Sequence, residues 1–275
     1  MTIKEALAMK TAPNNLDFLW ILEKATGLSA NRLRMTDENT PLTPEAAEAF
    51  LYMAEQHRNH IPLQYILGEW DFMGLTIKCR PGVLIPRRDT EVLAQEAISF
   101  SKNSTGRFTA LDLCTGSGCV AIALAKHFTH VTGTDISLDA LELARENAKL
   151  NGVEDHISFM QSNLFENIEG RFNCITANPP YIPTDELKNL PEQVKKEPSG
   201  ALDGGRDGLD FYRAIIPAAG EFLLPKGELF LEIGDTMGKA VTEMLHSHGF
   251  RAVIVIKDLE TRDRVVRGVK CEKYI

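Results

Sequence analysis

The chain is poor in several things, and each shortage narrows its chemistry. No apolar run approaches the roughly 18 residues a membrane-spanning helix requires. Met1 to Asn15 carries no apolar leader core, so a cytoplasmic, membrane-free protein is expected. The five cysteines are odd in number and scattered, which argues against a disulfide framework. The nearest pair, Cys114 and Cys119, has no further Cys/His set to complete a zinc site, so buried free thiols and no metal are expected. His57 and His60 lack a carboxylate or Cys partner at ligand spacing and read as solvated helix residues. Positive charge is also in short supply. The net charge is −8, split as −2 over Met1 to Arg80 (8 basic, 10 acidic) and −6 over the rest (22 basic, 28 acidic). With aromatics at 7%, no part of the chain is an aromatic-rich basic domain built for DNA or RNA. Repeats and low-complexity segments are absent.

What is present falls into distinct stretches. The first 60 or so residues read as helices. Thr2 and Glu5 have capping-box spacing, and Asn15 precedes an apolar-periodic segment that Gly27 ends. Thr43-Pro44 opens a helix carrying Phe50, Leu51 and Ala54, ended by Pro62. Residues 1–62 are therefore expected to form a helical bundle serving as a docking module. Gly68, Gly74 and Gly82 punctuate β-like pieces at Leu75–Lys78 and Val83–Ile85, so 63–88 reads as a hairpin-containing linker. From residue 89 to 275 strand-like runs (110–114, 130–134, 157–161, 172–177, 228–233, 252–256) mostly alternate with helical patterns (119–127, 138–150, 209–223, 237–246). That alternation predicts a mostly parallel, doubly wound α/β sheet, with ligands beyond the carboxyl ends of its strands.

Two loops at such strand ends carry chemistry. Asn178-Pro179-Pro180-Tyr181 follows the run 172–177. Two prolines cannot extend a central strand, so the chain must leave the sheet there. A stiff loop of exposed carbonyls is expected, in which Asn178 Oδ1 and a main-chain carbonyl each accept one N–H of a planar amide or amine. Tyr181 would pack against the π-face of that group. Read alone, the tetrapeptide is equally a proline-rich turn. The second loop, Cys114-Thr115-Gly116-Ser117-Gly118, joins a strand to a helix, and its glycines permit φ > 0 and close ligand approach. It is not a complete G-x-G-x-x-G. Asp135 ends the next strand, 19 residues after Gly116, where a carboxylate can accept from both hydroxyls of a ribose. Asn163 and Leu164 follow the third strand, where a side chain could border an adenine.

The ordered set of motifs resembles the peptide-chain release factor glutamine N5-methyltransferases, the HemK/PrmC family, within the class I S-adenosylmethionine-dependent methyltransferases. The resemblance spans nearly the whole chain. It includes Pro62 to Gly68, Val83 to Arg87, the glycine loop, Asn178 to Tyr181, Glu197-Pro198, Ala201-Leu202, Gly204-Gly205, Asp207-Gly208 and the segment Lys257 to Val266. It implies a Rossmann-like methyltransferase domain behind a small N-terminal all-helical domain. It implies that Thr115 to Gly118 line the methionine end of S-adenosylmethionine, that Asp135 holds the ribose, and that Asn163-Leu164 borders the adenine. Asn178 to Tyr181 would grip the amide of the glutamine in the Gly-Gly-Gln loop of class I release factors, the expected partner of a monomeric enzyme. Three positions depart from the family pattern. Cys114 stands for the first glycine of the loop, Asn163 for an acidic residue, and Arg88 for the usual proline. No general base is assigned, because the amide proton becomes acidic only as the N–C bond forms. The alternative activity is methylation of adenine N6 or guanine N2 in nucleic acid, which uses the same Asn-Pro-Pro-aromatic grip.

Overall fold

The computed structural model describes residues 1–9, 15–102 and 108–271. The chain divides into two compact units, Met1–Glu69 with Pro191–Lys196, and Trp70–Leu190 with Glu197–Ile275.

The smaller unit contains α1 (Ile3–Ala8), α2 (Asn15–Thr26), α3 (Ala30–Met35), α4 (Pro44–Arg58) and α5 (Leu63–Leu67). The capping box forms, with Glu5 N–H donating to Thr2 Oγ1 at 3.2 Å and Thr2 N–H donating to Glu5 Oε2 at 2.9 Å. Thr43 Oγ1 caps α4, accepting from Ala46 N–H at 3.2 Å. The side chain of Asn15, the expected cap of α2, lies outside the described residues. Gly27 stops α2 at φ 67. Phe18, Ile21, Leu22, Phe50 and Ala54 form the buried core. His57 belongs to it too, which corrects the solvated reading. Its ring is buried, with Nε2 3.1 Å from Asp17 Oδ2 and an edge against Phe18. The carboxylate comes from a different helix, so local spacing could not reveal it.

The boundary lies at Glu69 rather than at Pro62, and 63–88 is not one linker. Helix α5 closes the smaller unit. Strands β1 (Glu69–Phe72) and β2 (Leu75–Lys78) form a hairpin through Met73 and Gly74, both at positive φ as a type I′ turn demands. Phe72 and Ile77 are buried in the core of the larger unit. Val83 to Ile85 makes no strand. Pro81 and Pro86 flank it and Gly82 sits at φ 91, so Ile85 N–H donates instead to the buried Glu197 Oε2 at 3.0 Å.

The larger unit holds a seven-stranded sheet in the order β5 (Ile157–Gln161), β4 (His130–Asp135), β3 (Thr109–Leu113), β6 (Phe172–Ala177), β7 (Leu223–Glu232), β9 (Asp263–Lys270), β8 (Phe250–Lys257). The ladders from β5 to β7 are parallel, and β9 runs antiparallel between β7 and β8. Helices α6 (Thr90–Ser101), α7 (Cys119–Ala125), α8 (Leu138–Leu150), α9 (Asp210–Phe222) and α10 (Gly238–Ser247) complete the unit. Ala110, Cys174 and Phe230 share a core with Leu93 and Ala97 of α6 and Leu124 of α7. The alternate residues Leu111, Ile175 and Leu231 share another with Ile215 of α9 and Val241 of α10. Burial on both faces is why the central strands read as unbroken apolar runs. Each fully buried Leu, Ile or Phe there contributes roughly 1.5–3 kcal/mol. From β3 the chain winds outward through β4 to one side and β6 to the other. The carboxyl ends of β3, β4 and β6 thus flank a topological switch point, where ligands bind in open α/β sheets.

Candidate active site

At the end of β3 the backbone turns through Cys114 (φ 55), Gly116 (φ 55) and Gly118 (φ 79), all left-handed. At Gly116 a Cβ would meet nothing within 4 Å, so the requirement there is conformational and the space above it is open. At Gly118 a Cβ would lie 3.0 Å from Ala144 Cβ, because the loop packs tightly on α8. Cys114 takes the left-handed conformation with a side chain attached, at a cost of about 1–2 kcal/mol. Burial, with the nearby Asp135 and Asp112, pushes its thiol pKa up and keeps it protonated.

Buried polar groups hold the loop. Thr115 N–H donates to Thr134 O at 2.9 Å, and Gly116 N–H to Asp135 Oδ2 at 2.9 Å, fastening the loop to the end of β4. The other Asp135 oxygen accepts from Ser137 N–H at 2.9 Å, while Ser137 Oγ caps α8. Each carboxylate oxygen keeps a further lone pair. Burial raises the Asp135 pKa against those backbone hydrogen bonds. Below the loop, fully buried Asp112 accepts from Thr115 Oγ1 at 2.6 Å and Thr176 Oγ1 at 2.7 Å. Desolvation lifts its pKa to about 6 against these hydroxyls. Asn147, completely buried on α8, donates to Ser117 O at 2.9 Å and accepts from Lys78 N–H at 2.8 Å, tying the loop to β2.

Beyond β5, Leu164 adopts φ 50 and is packed against the core, with its carbonyl accepting from Ser162 Oγ at 2.8 Å. Asn163 is exposed and donates to Glu166 Oε1 at 2.9 Å.

Beyond β6, Pro179 and Pro180 are buried, which corrects the expected exposed loop. Among the described residues no donor meets the Pro179 carbonyl. The tightness comes from glycines far along the chain. A Cβ at Gly204 would lie 2.7 Å from Tyr181 Cα, and one at Gly208 would lie 2.3 Å from Tyr181 O. Ile182 N–H donates to Leu202 O and Gly204 N–H to Ile182 O, so 202–208 clamps the segment. Tyr181 is largely enclosed, and burial, ahead of the nearby Glu232, raises its phenol pKa to about 12. Asn178 Nδ2 donates to Thr90 Oγ1 at 3.1 Å. With the amide nitrogen committed, Asn178 Oδ1 remains an acceptor. Asn178, Thr90, Pro86 and Arg87 line one cavity with Cys114 to Ser117, so the loops after β3 and β6 meet.

These motifs agree with known proteins. Residues 3–68 match the PrmC N-terminal domain and residues 89–196 the methyltransferase small domain. The chain is 41% identical over 267 residues to the release factor glutamine methyltransferase of Geobacter sulfurreducens, covering 95% of this chain and 92% of that one. It is also 41% identical to its namesake from Thermodesulfovibrio yellowstonii, over 87% of each chain. The chain belongs to the release factor glutamine methyltransferase family. Among solved structures, a methyltransferase from Pyrococcus furiosus superposes with a TM-score of 0.53 at 22% identity, over 73% of this chain and 91% of that one, which speaks for the fold alone.

Three residues that shape this site were not singled out from sequence: Asp112, Asn147 and Thr90. Asp112 had a usable signal, a lone carboxylate inside an apolar strand. Asn147 and Thr90 had none, since their partners lie 69 and 88 residues away.

Proposed function

We infer that this protein transfers a methyl group from S-adenosylmethionine to the side-chain N5 of the glutamine in the Gly-Gly-Gln loop of class I release factors. The carrying observation is that Asn178 Nδ2 is used by Thr90, which leaves Oδ1 as acceptor beside the unengaged Pro179 carbonyl. The glycine loop suits the cofactor, with open space at Gly116 and spare lone pairs on Asp135. Cys114 to Gly118 would hold its methionine end, Asp135 the ribose, and Asn163-Leu164 the adenine. Bound there, S-adenosylmethionine supplies an electrophilic sulfonium methyl and leaves as S-adenosylhomocysteine.

The protein's own task is to make a poor nucleophile reactive. An amide nitrogen delocalises its lone pair into its carbonyl. Asn178 Oδ1 and the Pro179 carbonyl accept both N–H bonds and turn the lone pair toward the methyl. Such orientation supplies up to roughly 7–11 kcal/mol in favourable intramolecular cases. The same oxygens stabilise positive charge developing on nitrogen. As N–C forms, the proton leaves to water, and no protein base is required. Tyr181, held protonated, would pack against the amide plane.

Mass spectrometry of a purified release factor incubated with enzyme and cofactor tests this. A gain of one methyl on the Gly-Gly-Gln glutamine is expected. Labelling of DNA or RNA in parallel, with none on the release factor, would replace the reading with nucleic-acid methylation.

A further inference from the structure

We propose that Arg87 holds the amino-acid carboxylate of S-adenosylmethionine and that Glu197 is the positioning residue that aims it. The proposal rests on the function inferred above, which puts the methionine end of the cofactor against the loop after β3. That end carries a carboxylate, and a carboxylate taken from water into a cleft needs strong donors. The loop has few to give. Thr115, Gly116 and Gly118 have spent their N–H groups on Thr134 O, Asp135 Oδ2 and Thr115 O. Thr115 Oγ1 donates to Asp112, and Asn178 Nδ2 donates to Thr90.

Arg87 supplies what the loop lacks. It is the cation among the residues lining the cavity that Asn178 shares with Cys114 to Ser117. A guanidinium carries five N–H donors. Among the described residues the hydrogen-bond partner of Arg87 is Glu197, met through Nη2. The Arg87 side chain is 36% exposed, so its other donors remain free. The Glu197 side chain is 1% exposed and has both oxygens engaged. Oε2 accepts from Ile85 N–H at 3.0 Å and Oε1 from Arg87. One buried carboxylate thus grips the segment on both sides of Pro86, which has a fixed φ and no N–H of its own to satisfy.

A guanidinium anchored on one edge can present another edge to a second carboxylate. Its planar fork lays two parallel N–H bonds on a carboxylate, a match that neutral groups do not share. The substrate glutamine offers a neutral amide, so the charged end of the cofactor is the better partner. An arginine already held by Glu197 also has less freedom left to lose on binding. The roles of clamp and of simple structural ion pair are separable. Breaking a structural pair weakens every ligand of the cavity alike, whereas removing a carboxylate clamp weakens only ligands that have the carboxylate.

The experiment titrates the full chain calorimetrically with S-adenosylhomocysteine and with its decarboxylated analogue, which keeps the amine and lacks the carboxylate. Arg87→Ala should raise the Kd of S-adenosylhomocysteine roughly 10- to 100-fold, the worth of a charge-assisted hydrogen bond, and leave the analogue within about twofold. Glu197→Ala added to Arg87→Ala should cost no further affinity, because Glu197 acts through Arg87. If Arg87→Ala leaves Glu197 buried and unpaired and does not fold, Arg87→Lys decides. It keeps the opposite charge but loses the fork, and should weaken S-adenosylhomocysteine about fivefold with the analogue unchanged. Equal losses for the two ligands, or a Kd for S-adenosylhomocysteine within about twofold of wild type, overturn the clamp. If the wild type binds neither ligand, the inferred function falls with it, whereas loss of the Arg87 contrast alone overturns this proposal and leaves that function standing.

Discussion

The two loops that meet at the sheet edge are held in shape by opposite means. The loop after β3 owes its form to local conformation, three left-handed residues in a row of five, and to Asp135 at the end of the neighbouring strand. The loop after β6 has rigid prolines but owes its form to distant residues. Gly204 and Gly208 admit the Tyr181 backbone, and Thr90 orients Asn178. The first loop adds to its own conformation only supports 19 and 30 residues away, Asp135 and Asn147. The second assembles only when three separate stretches of chain have folded together.

Substitutions can break this contrast. The largest effect is expected at Asn178→Ala, which removes the aiming acceptor. By analogy with the loss of one oxyanion-hole group, single-turnover methylation should fall roughly 100- to 1000-fold while cofactor Kd stays the same. Asp135→Ala should do the reverse, raising cofactor Kd in a direct titration while saturated turnover changes less. An Asp135→Ala enzyme with normal affinity would remove the ribose assignment.

Next comes a pair of glycine substitutions. Gly208→Ala puts a Cβ 2.3 Å from Tyr181 O at φ 76 and should cost about 3 kcal/mol or more from strain and overpacking. Gly116→Ala meets open space and should cost only the left-handed penalty, about 1–2 kcal/mol. Urea denaturation of both variants checks the order, and equal losses would dissolve the distinction between the loops.

The subtlest effect is in pH. The Asp112 pKa rises from 3.8 to about 6 because burial disfavours its charge. Its folded form thus holds a proton that the unfolded chain releases earlier. That contribution is complete below about pH 4 and is lost as pH rises through 6, amounting to about 3 kcal/mol. Asp112→Asn should flatten the fall in melting temperature between pH 4 and 7. An unchanged slope would show that Asp112 is charged in the fold throughout that range.

Much of this architecture was legible in one dimension. Strands β5 and β6 and helix α8 lie at 157–161, 172–177 and 138–150 as read. Their apolar runs and Ser137 cap are local signals. Helix α6 was missed, although Leu93, Ala94, Ala97 and Ile98 have helical spacing. Its N-cap Asp89 makes no side-chain capping bond, and the segment reads as a charged loop. Strand β9 is hidden in the sequence because its start, Asp263-Arg264 next to Arg262, looks like a surface charge cluster. In the fold Arg264 is 6% exposed and lies 3.2 Å from Asp258 and 3.3 Å from Asp89.

By itself the sequence determined the alternation that makes a parallel sheet, the glycine loop, and the point where Pro179-Pro180 forces the chain out of β6. These depend on propensity, periodicity and fixed φ, which act between near neighbours. Only the tertiary structure decided that Thr90 receives the Asn178 amide nitrogen, and why Tyr181 needs glycines at 204 and 208. Such choices depend on hydrogen bonds and excluded volume between residues tens of positions apart, and no local pattern encodes them.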